Sequence, residues 1–462
     1  MVLLANAKNR DKILQSLQHF SGLFRTVIYK TSLKAGGVGA GLPVGDDMYL
    51  SGLIQRDKLF DLTLRWFSNW VEPSDGRFLT EVFIYESLIS SPVCHKFLTD
   101  ILRVVYPEPY QLRRASTKDE VRQAIINSCP DPTPHIKALL EQYRALPEEF
   151  FPRTPVDLMM VIGMNNSLLG ITRVKRIRRV AEKASRRVAD RLAGVIVQSA
   201  QSLAELRAEA AGVSLSNLLS PPEVMAEEFA VAERIISQSF RDRQIAFEPP
   251  DLNIDDIIGS KFIGNEEELS VIEEAIRSYP GATLVEKEVH TGDYNATNLL
   301  IDLDLPAPSD IIDRFAGHDW SIAAGRGLDP SILAADFPDY IESSSRTFRT
   351  EVILTTFDEM VESEFGRSIH EERVLDQRGT SSYAGRIATN ASFIIEYMLM
   401  LAMSPTVAVP PLPVKMWGRY LPETFSKAVW GLFGIDQGMV LWDSYLLDLQ
   451  DTMATFHQTG TD

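Results

Sequence analysis

Cysteine is almost missing from this chain. Two residues in 462, Cys94 and Cys129, exclude a disulfide framework and a cysteine-built zinc centre, and they suit a reducing compartment. Long apolar runs are missing too. The longest, Ala391 to Met403, contains Glu396 and falls short of the roughly 20 residues that a bilayer-spanning helix needs. The short apolar start Val2-Leu3-Leu4-Ala5 has no basic region ahead of it, so no signal peptide, no membrane partner and a cytoplasmic location are expected. Positive charge is in deficit. A formal net charge of −17 argues against a general nucleic-acid-coating role, which requires a basic surface. No His-Glu-x-x-His zinc signature and no nucleophile elbow occur. The glycine-rich stretch Ala35-Gly36-Gly37-Val38-Gly39-Ala40-Gly41 is not followed by Gly-Lys-Ser/Thr, and it reads as a flexible turn rather than a phosphate cradle.

What is there describes a folded protein of more than one domain. Hydrophobic residues make up 45% and charged residues 24%, and the length predicts two or three domains. Residues 1–150 read as a helical N-terminal domain, with helical apolar spacing at Phe78-Leu79-Val82-Phe83 and Phe97-Leu98-Ile101-Leu102. Residues 151–222 hold a proline-punctuated link and a long amphipathic helix. Its stripe runs Val174, Ile177, Ala181, Ala184, Val188, Leu192, Val195. The first half of that helix is basic, from Arg173 to Arg191. Such a cluster suits RNA, nucleotide phosphates or an acidic partner. The competing reading is a solvated face paired with the acidic remainder of the chain, and no aromatic residues interleave to stack on bases.

From residue 223 the pattern becomes α/β. A helix begins after Pro221-Pro222, and Ile257 to Ile263 reads as a strand. Asn265 caps the next helix with Glu268 three residues on as a capping-box partner. Thr283–Val289, Thr297–Leu303 and Arg349–Thr355 read as further strands, and Phe357–Phe365 and Tyr383–Met403 as helices. Residues 405–462 form a tail with Trp417, Trp430 and Trp442, expected to pack on the body.

The residues that point to chemistry lie in four motifs. They are Asp256-Ile257-Ile258-Gly259-Ser260-Lys261; Gly292-Asp293-Tyr294-Asn295-Ala296-Thr297-Asn298; Thr350-Glu351-Val352-Ile353-Leu354-Thr355; and Ser363-Glu364-Phe365-Gly366 with His370. Their order resembles the synthetase domain of RelA/SpoT-type (p)ppGpp synthetases over residues 230–403. The family pattern is Asp-Ile-x-Gly-x-Arg, Gly-Tyr-x-Ser-x-His, Val-Glu-x-Gln-x-Arg-Thr and Ala-Glu-x-Gly. The resemblance implies a mixed-sheet nucleotidyltransferase-like domain with flanking helices, here preceded by the mainly helical region. It also implies Mg²⁺-dependent transfer of pyrophosphate from ATP to a guanine nucleotide, or to an RNA end. Asp256 and Glu351 would be the metal ligands and catalytic carboxylates. Tyr294 would stack on the guanine. Lys261, Asn298, Arg234, Arg241, Arg243 and His370 would face substrate. Lys261 stands where the family has Arg, Asn298 where it has His, and Ile353 and Thr355 replace its Gln and Arg. These departures keep a second function class open: a catalytically inactive relative serving as a nucleotide sensor or interaction module, with oligomerisation compatible with either.

Overall fold

In the computed structural model, the described residues are 50–432 without 51, 108, 129–131, 220, 245–253, 293–294, 367–384, 410 and 419–421. All belong to the compact unit Asp47–Asp462. The glycine-rich stretch 35–43, Tyr294, His370 and Trp442 therefore lie outside the described residues.

Helices α1 (Arg56–Phe67) and α2 (Asp75–Val105) open the described chain. Strand β1 (Tyr110–Thr117), helices α3 (Lys118–Asn127) and α4 (Pro134–Ala145), and strands β2 (Pro155–Gly163) and β3 (Leu168–Val174) follow. The long basic helix is α5 (Ile177–Ala211), and α6 (Pro222–Arg241) lies after it. Then come β4 (Ile258–Ile263), α7 (Glu266–Arg277), β5 (Ala282–His290), β6 (Ala296–Asp304), α8 (Pro308–Arg314), α9 (Pro330–Glu342) and β7 (Thr347–Thr355). Helices α10 (Phe357–Phe365), α11 (Arg386–Leu401) and α12 (Pro422–Leu432) close the described part.

The strands form one mixed seven-stranded sheet in the order β1-β2-β3-β4-β7-β6-β5. Its β4–β7 pair is parallel, and the five other pairs are antiparallel. The four C-terminal strands match the sequence expectation. The N-terminal part does not: a region read as helical and linker supplies β1, β2 and β3. The reason is burial. Strand β1 is an edge strand whose residues are mostly exposed, so it carries no apolar alternation. Strand β3 is covered on both faces, and its run Leu168-Leu169-Gly170-Ile171 has no period to read.

Two apolar layers sandwich the sheet. On one face Leu299, Ile301, Leu303, Phe348, Val352 and Phe262 join the main core with helices α2 and α7, and the same core continues into the packing of α1, α5, α6 and α11. Phe262 packs edge-on against Phe97 of α2 at 6.3 Å between ring centroids. On the other face, near β2 and β3, α3, α4 and α10 cover Met160, Ile171 and Ile263 in a smaller cluster. The capping box read from the sequence is present: the Asn265 side chain accepts from the Glu268 amide, and Glu268 accepts from the Asn265 amide. Helix α5 buries Val180, Ala184, Val188, Leu192 and Ile196 and ends at Gly212, whose φ of 66° is the left-handed cap that glycine adopts without strain. Among the described residues, no helix is long and apolar enough to cross a membrane. The segment after α11 lies against the body, with the Asn390 side chain donating to the carbonyls of Lys415, Met416 and Gly418.

Candidate functional site

Where the second face of the sheet is not covered by α3, α4 and α10, strands β4, β7, β6 and β5 and the first half of α5 enclose a cleft of about 1090 Å³. Strand register decides which side chains meet there. Arg173 of β3 pairs with Gly259 of β4, Gly259 with Glu351 of β7, Glu351 with Leu300 of β6, and Leu300 with Glu286 of β5. Residues paired across a sheet share a face, so these five form one row. The next row holds Lys261, Ile353, Asn298 and Glu288. Gly259 has a specific use. A Cβ there would meet the Glu351 carbonyl at 3.3 Å and lie 3.8 Å from Nε of Arg173. Without it, the Arg173 guanidinium reaches over the strand to Glu351, Nη2 to Oε2 3.6 Å.

Asp256 precedes β4. The end of β3 runs antiparallel beside it, with Val174 opposite Ile258 and the Lys175 amide donating to the Ile257 carbonyl at 2.8 Å. That places the Lys175 side chain on Asp256. Lys183, on the second turn of α5, returns over the same carboxylate, and both ammonium groups bond to Oδ2. Burial pushes the Asp256 carboxyl up, but the two lysines outweigh it and hold the group down at about 2. Burial pulls the Lys175 ammonium below its usual value, against the pull of Asp256. Arg349 makes a third ion group nearby, with Nε and Nη2 on the Asp302 carboxylate at 2.8 and 3.0 Å and Nη1 3.3 Å from Asp255.

On the α5 side the cleft thus carries Lys183, Arg186 and Arg187 together with Glu182 and Asp190, facing a floor and far side with Asp255, Asp256, Glu351, Glu286, Glu288 and Asn298. The basic half of α5 meets the chain's own acids: besides the pairs above, Arg179 and Arg186 bond to Glu182 at 2.5 and 3.3 Å. This is the intramolecular pairing that the sequence offered as an alternative to RNA contact.

A Mg²⁺ ion requires oxygen ligands in near-octahedral array. The donor set here does not fit that need. Asp256 carries two ammonium groups, Glu351 faces a guanidinium, and no group of three or more acid, histidine or cysteine side chains among the described residues is arranged to hold a metal. Asp256 and Glu351 both line the cleft.

The other candidates fall in three places. Asn298 lines the cleft, and its buried Oδ1 lacks a hydrogen-bond partner. Lys261 is not in the lining. It lies deeper, Nζ 3.5 Å from Sδ of Met360, and burial lowers its ammonium to about 8. The family-type cations Arg234, Arg241 and Arg243 are not brought to the cleft. Arg234 is exposed on α6, Arg241 stacks over Trp417 at 5.4 Å, and Arg243 over Trp70 at 4.5 Å. Their proximity in sequence to Asp256 hid the fact that α6 leaves the sheet's open face. Around the undescribed Tyr294, Asn295 is held to α10: its Nδ2 donates to Glu359 at 2.7 Å.

Sequence reasoning passed over a partly buried group beside Lys261. Glu364 of the fourth motif is desolvated, yet Lys118, Lys261 and Arg122 hold its carboxyl below the usual range, with Lys118 Nζ at 3.5 Å. The signal available was the motif itself. Its partners Lys118 and Arg122 come from a helix 246 and 242 residues upstream that the sequence does not tie to it. It also missed Lys175 as a partner of Asp256, because the sequence places Lys175 in the long basic helix whereas it follows strand β3.

No family profile matches the chain. No curated protein matches it. Among solved structures it is similar to the small alarmone synthetase 1 of Bacillus subtilis, at 11% identity over 37% of this chain and 70% of that one, with a TM-score of 0.18. It is also similar to that enzyme bound to its product pppGpp, at 10% identity over 37% of this chain and 69% of that one, with a TM-score of 0.18. A Streptococcus mutans protein matches at the same identity, coverage and TM-score.

Proposed function

We propose that the cleft between α5 and the sheet binds the polyphosphate of a nucleotide, and that the protein acts as a nucleotide-binding module. The observation that carries this reading is that Lys183, Arg186 and Arg187, set among Glu182 and Asp190, stand along a cleft large enough for a small-molecule ligand. Lysine and arginine are the side chains that hold phosphate oxygens by charge-assisted hydrogen bonds. Asn298 supports the same reading, because its unpartnered Oδ1 can accept from a base amino group or a sugar hydroxyl. The four motifs add the nucleotide class, a guanine nucleotide or ATP. The test is calorimetric titration of the full chain with GTP, GDP and ATP. Binding is expected, and Arg186→Ala with Arg187→Ala together should weaken it by about a hundredfold. No heat and no shift of the thermal midpoint with any of the three at millimolar concentration would sink it.

A second reading, pyrophosphate transfer from ATP to a guanine nucleotide, is favoured by one observation: Asp256 and Glu351 line the same cleft. Incubation with labelled ATP, Mg²⁺ and GDP or GTP decides between the two. A labelled guanosine product that Asp256→Asn fails to make would establish transfer; bound nucleotide without product selects the binding module.

A further inference from the structure

Helix α2 packs Phe97 against Phe262 on the sheet face away from the cleft, and its outer side bounds a second cavity, of about 460 Å³, that shares no residue with the cleft. Ser87, Ser91 and His95 stand at successive turns of that helix and so form one stripe, beside Leu88 and Pro92. Opposite them stand Arg314, at the end of α8, and the turn Phe315-Ala316-Gly317-His318. Gly317 has a φ of 78°, and the turn brings the His318 amide onto the Phe315 carbonyl at 3.0 Å. The His318 ring is held edge-on to Phe315 and to Trp320, at 5.3 and 4.8 Å between centroids. Trp320 packs in turn on Tyr85 of α2 at 5.6 Å. One aromatic cluster therefore joins the two walls and fixes their polar groups before any ligand arrives.

The charge of this lining differs from that of the cleft. It offers one guanidinium, two imidazoles and two hydroxyls, and among the described residues no carboxylate. Arg314 makes no ion pair among the described residues, in a chain with 63 acids against 46 lysines and arginines. Two carboxylates act on the imidazoles from outside the lining: Asp157 of β2 on His95, and Asp319 on His318, while the Asp319 oxygens bond to Ser321. Lys96, next to His95, is engaged by Asp100. Burial outweighs Asp157 and keeps the His95 imidazole below its ordinary value.

We infer that this cavity binds a small organic oxyanion, a phosphate or carboxylate head on an apolar body, at a site separate from the nucleotide cleft. The Arg314 guanidinium takes the head through charge-assisted hydrogen bonds. The Ser91 hydroxyl and the ring N–H groups of His95 and His318 complete its shell. Phe315, Leu88 and Pro92 cover the body, and the volume lies within the range of small-molecule pockets. No bond is made or broken. The site stands on observations that the nucleotide-binding reading does not use, so either can fail without the other.

The experiment is a calorimetric titration of the full-length protein with phenyl phosphate, benzoate and inorganic phosphate. At least one of the two organic anions is expected to bind at millimolar concentration, and their ranking tells a phosphate head from a carboxylate. Inorganic phosphate should bind about tenfold more weakly than phenyl phosphate, because it leaves Phe315 and Leu88 uncovered. Arg314→Ala should weaken the organic anion by about tenfold or more, and Arg314→Lys should restore part of the loss. Benzoate stays ionised between about pH 8 and 5.5, so its affinity should rise severalfold over that fall as the imidazoles gain protons, and His95→Gln with His318→Gln should abolish the rise. Arg186→Ala with Arg187→Ala, in the cleft, should leave binding of these anions unchanged. No heat with either organic anion overturns the inference. So does binding that Arg314→Ala leaves intact, or binding that the cleft double variant removes. An affinity for benzoate that stays flat with pH in the unaltered protein overturns the part given to His95 and His318. Thermal melting of each variant separates lost binding from lost fold; Arg314 is exposed at a helix end, where its replacement should leave the midpoint in place.

Discussion

Replacing Asp256 by Asn tests the reasoning at its centre, because the consequence is a stability that depends on pH. In the folded protein, burial disfavours the carboxylate, yet Lys175 and Lys183 bring the group from its ordinary 3.8 down to about 2. At about 1.4 kcal/mol per pH unit, that is about 2.5 kcal/mol of folding stability. The side chain is 18% exposed, so solvent screening takes little from the figure. The folded value lies below the unfolded one. The contribution is therefore complete above about pH 5 and disappears as pH falls through 4 towards 2. Asparagine keeps the shape but removes the charge, and it leaves the buried Lys175 ammonium without its counter-ion. Losing one partner of a buried pair is worth about 3–5 kcal/mol, so the expected loss at neutral pH is about 2–4 kcal/mol. Urea unfolding between pH 3 and 8 measures it. The variant should be less stable near pH 7, and the gap to the unaltered protein should close as pH approaches 3. A variant within about 0.5 kcal/mol of the unaltered protein at pH 7 would refute the lysine clamp.

Other perturbations probe independent parts of the molecule. Glu86 of α2 is buried and accepts from the Ile54 and Gln55 amides at 2.8 and 3.2 Å and from the Tyr340 hydroxyl at 2.9 Å; burial still pushes its carboxyl up to about 7. An acid raised from 4.5 to about 7 favours the folded state most below the lower value, so about 3 kcal/mol should be lost as pH rises between the two. Glu86→Gln should flatten that slope, and an unchanged slope would assign it elsewhere. Asn265→Ala removes the first-turn cap of α7 and should cost about 1 kcal/mol in thermal unfolding, with no change in nucleotide titration. Gly259→Val inserts a side chain between Arg173 and the Glu351 carbonyl; overpacking predicts about 1–3 kcal/mol of destabilisation. Wild-type melting of that variant would mean the strand spacing at this row is looser than described.

The sequence by itself settled what short-range physics can settle. Alternation marked β6 and β7, whose two faces differ in burial, and flanking turn residues helped to mark β4 and β5. Asn265 and Glu268 marked the start of α7, because capping is a contact three residues long. The motif order also brought Asp256, Glu351 and Asn298 into one reading, and they do line one cleft. Tertiary structure alone decided the rest. An exposed edge strand and a doubly covered strand carry no period, so β1 and β3 were invisible until the sheet assembled. The partners of Asp256 could not be read either. Lys175 and Lys183 are some 80 and 70 residues away along the chain, and only the antiparallel passage of β3 beside β4, with α5 folding back over it, sets two ammonium groups on that carboxylate. Charge acts through distance in space, and composition records only that the charges exist.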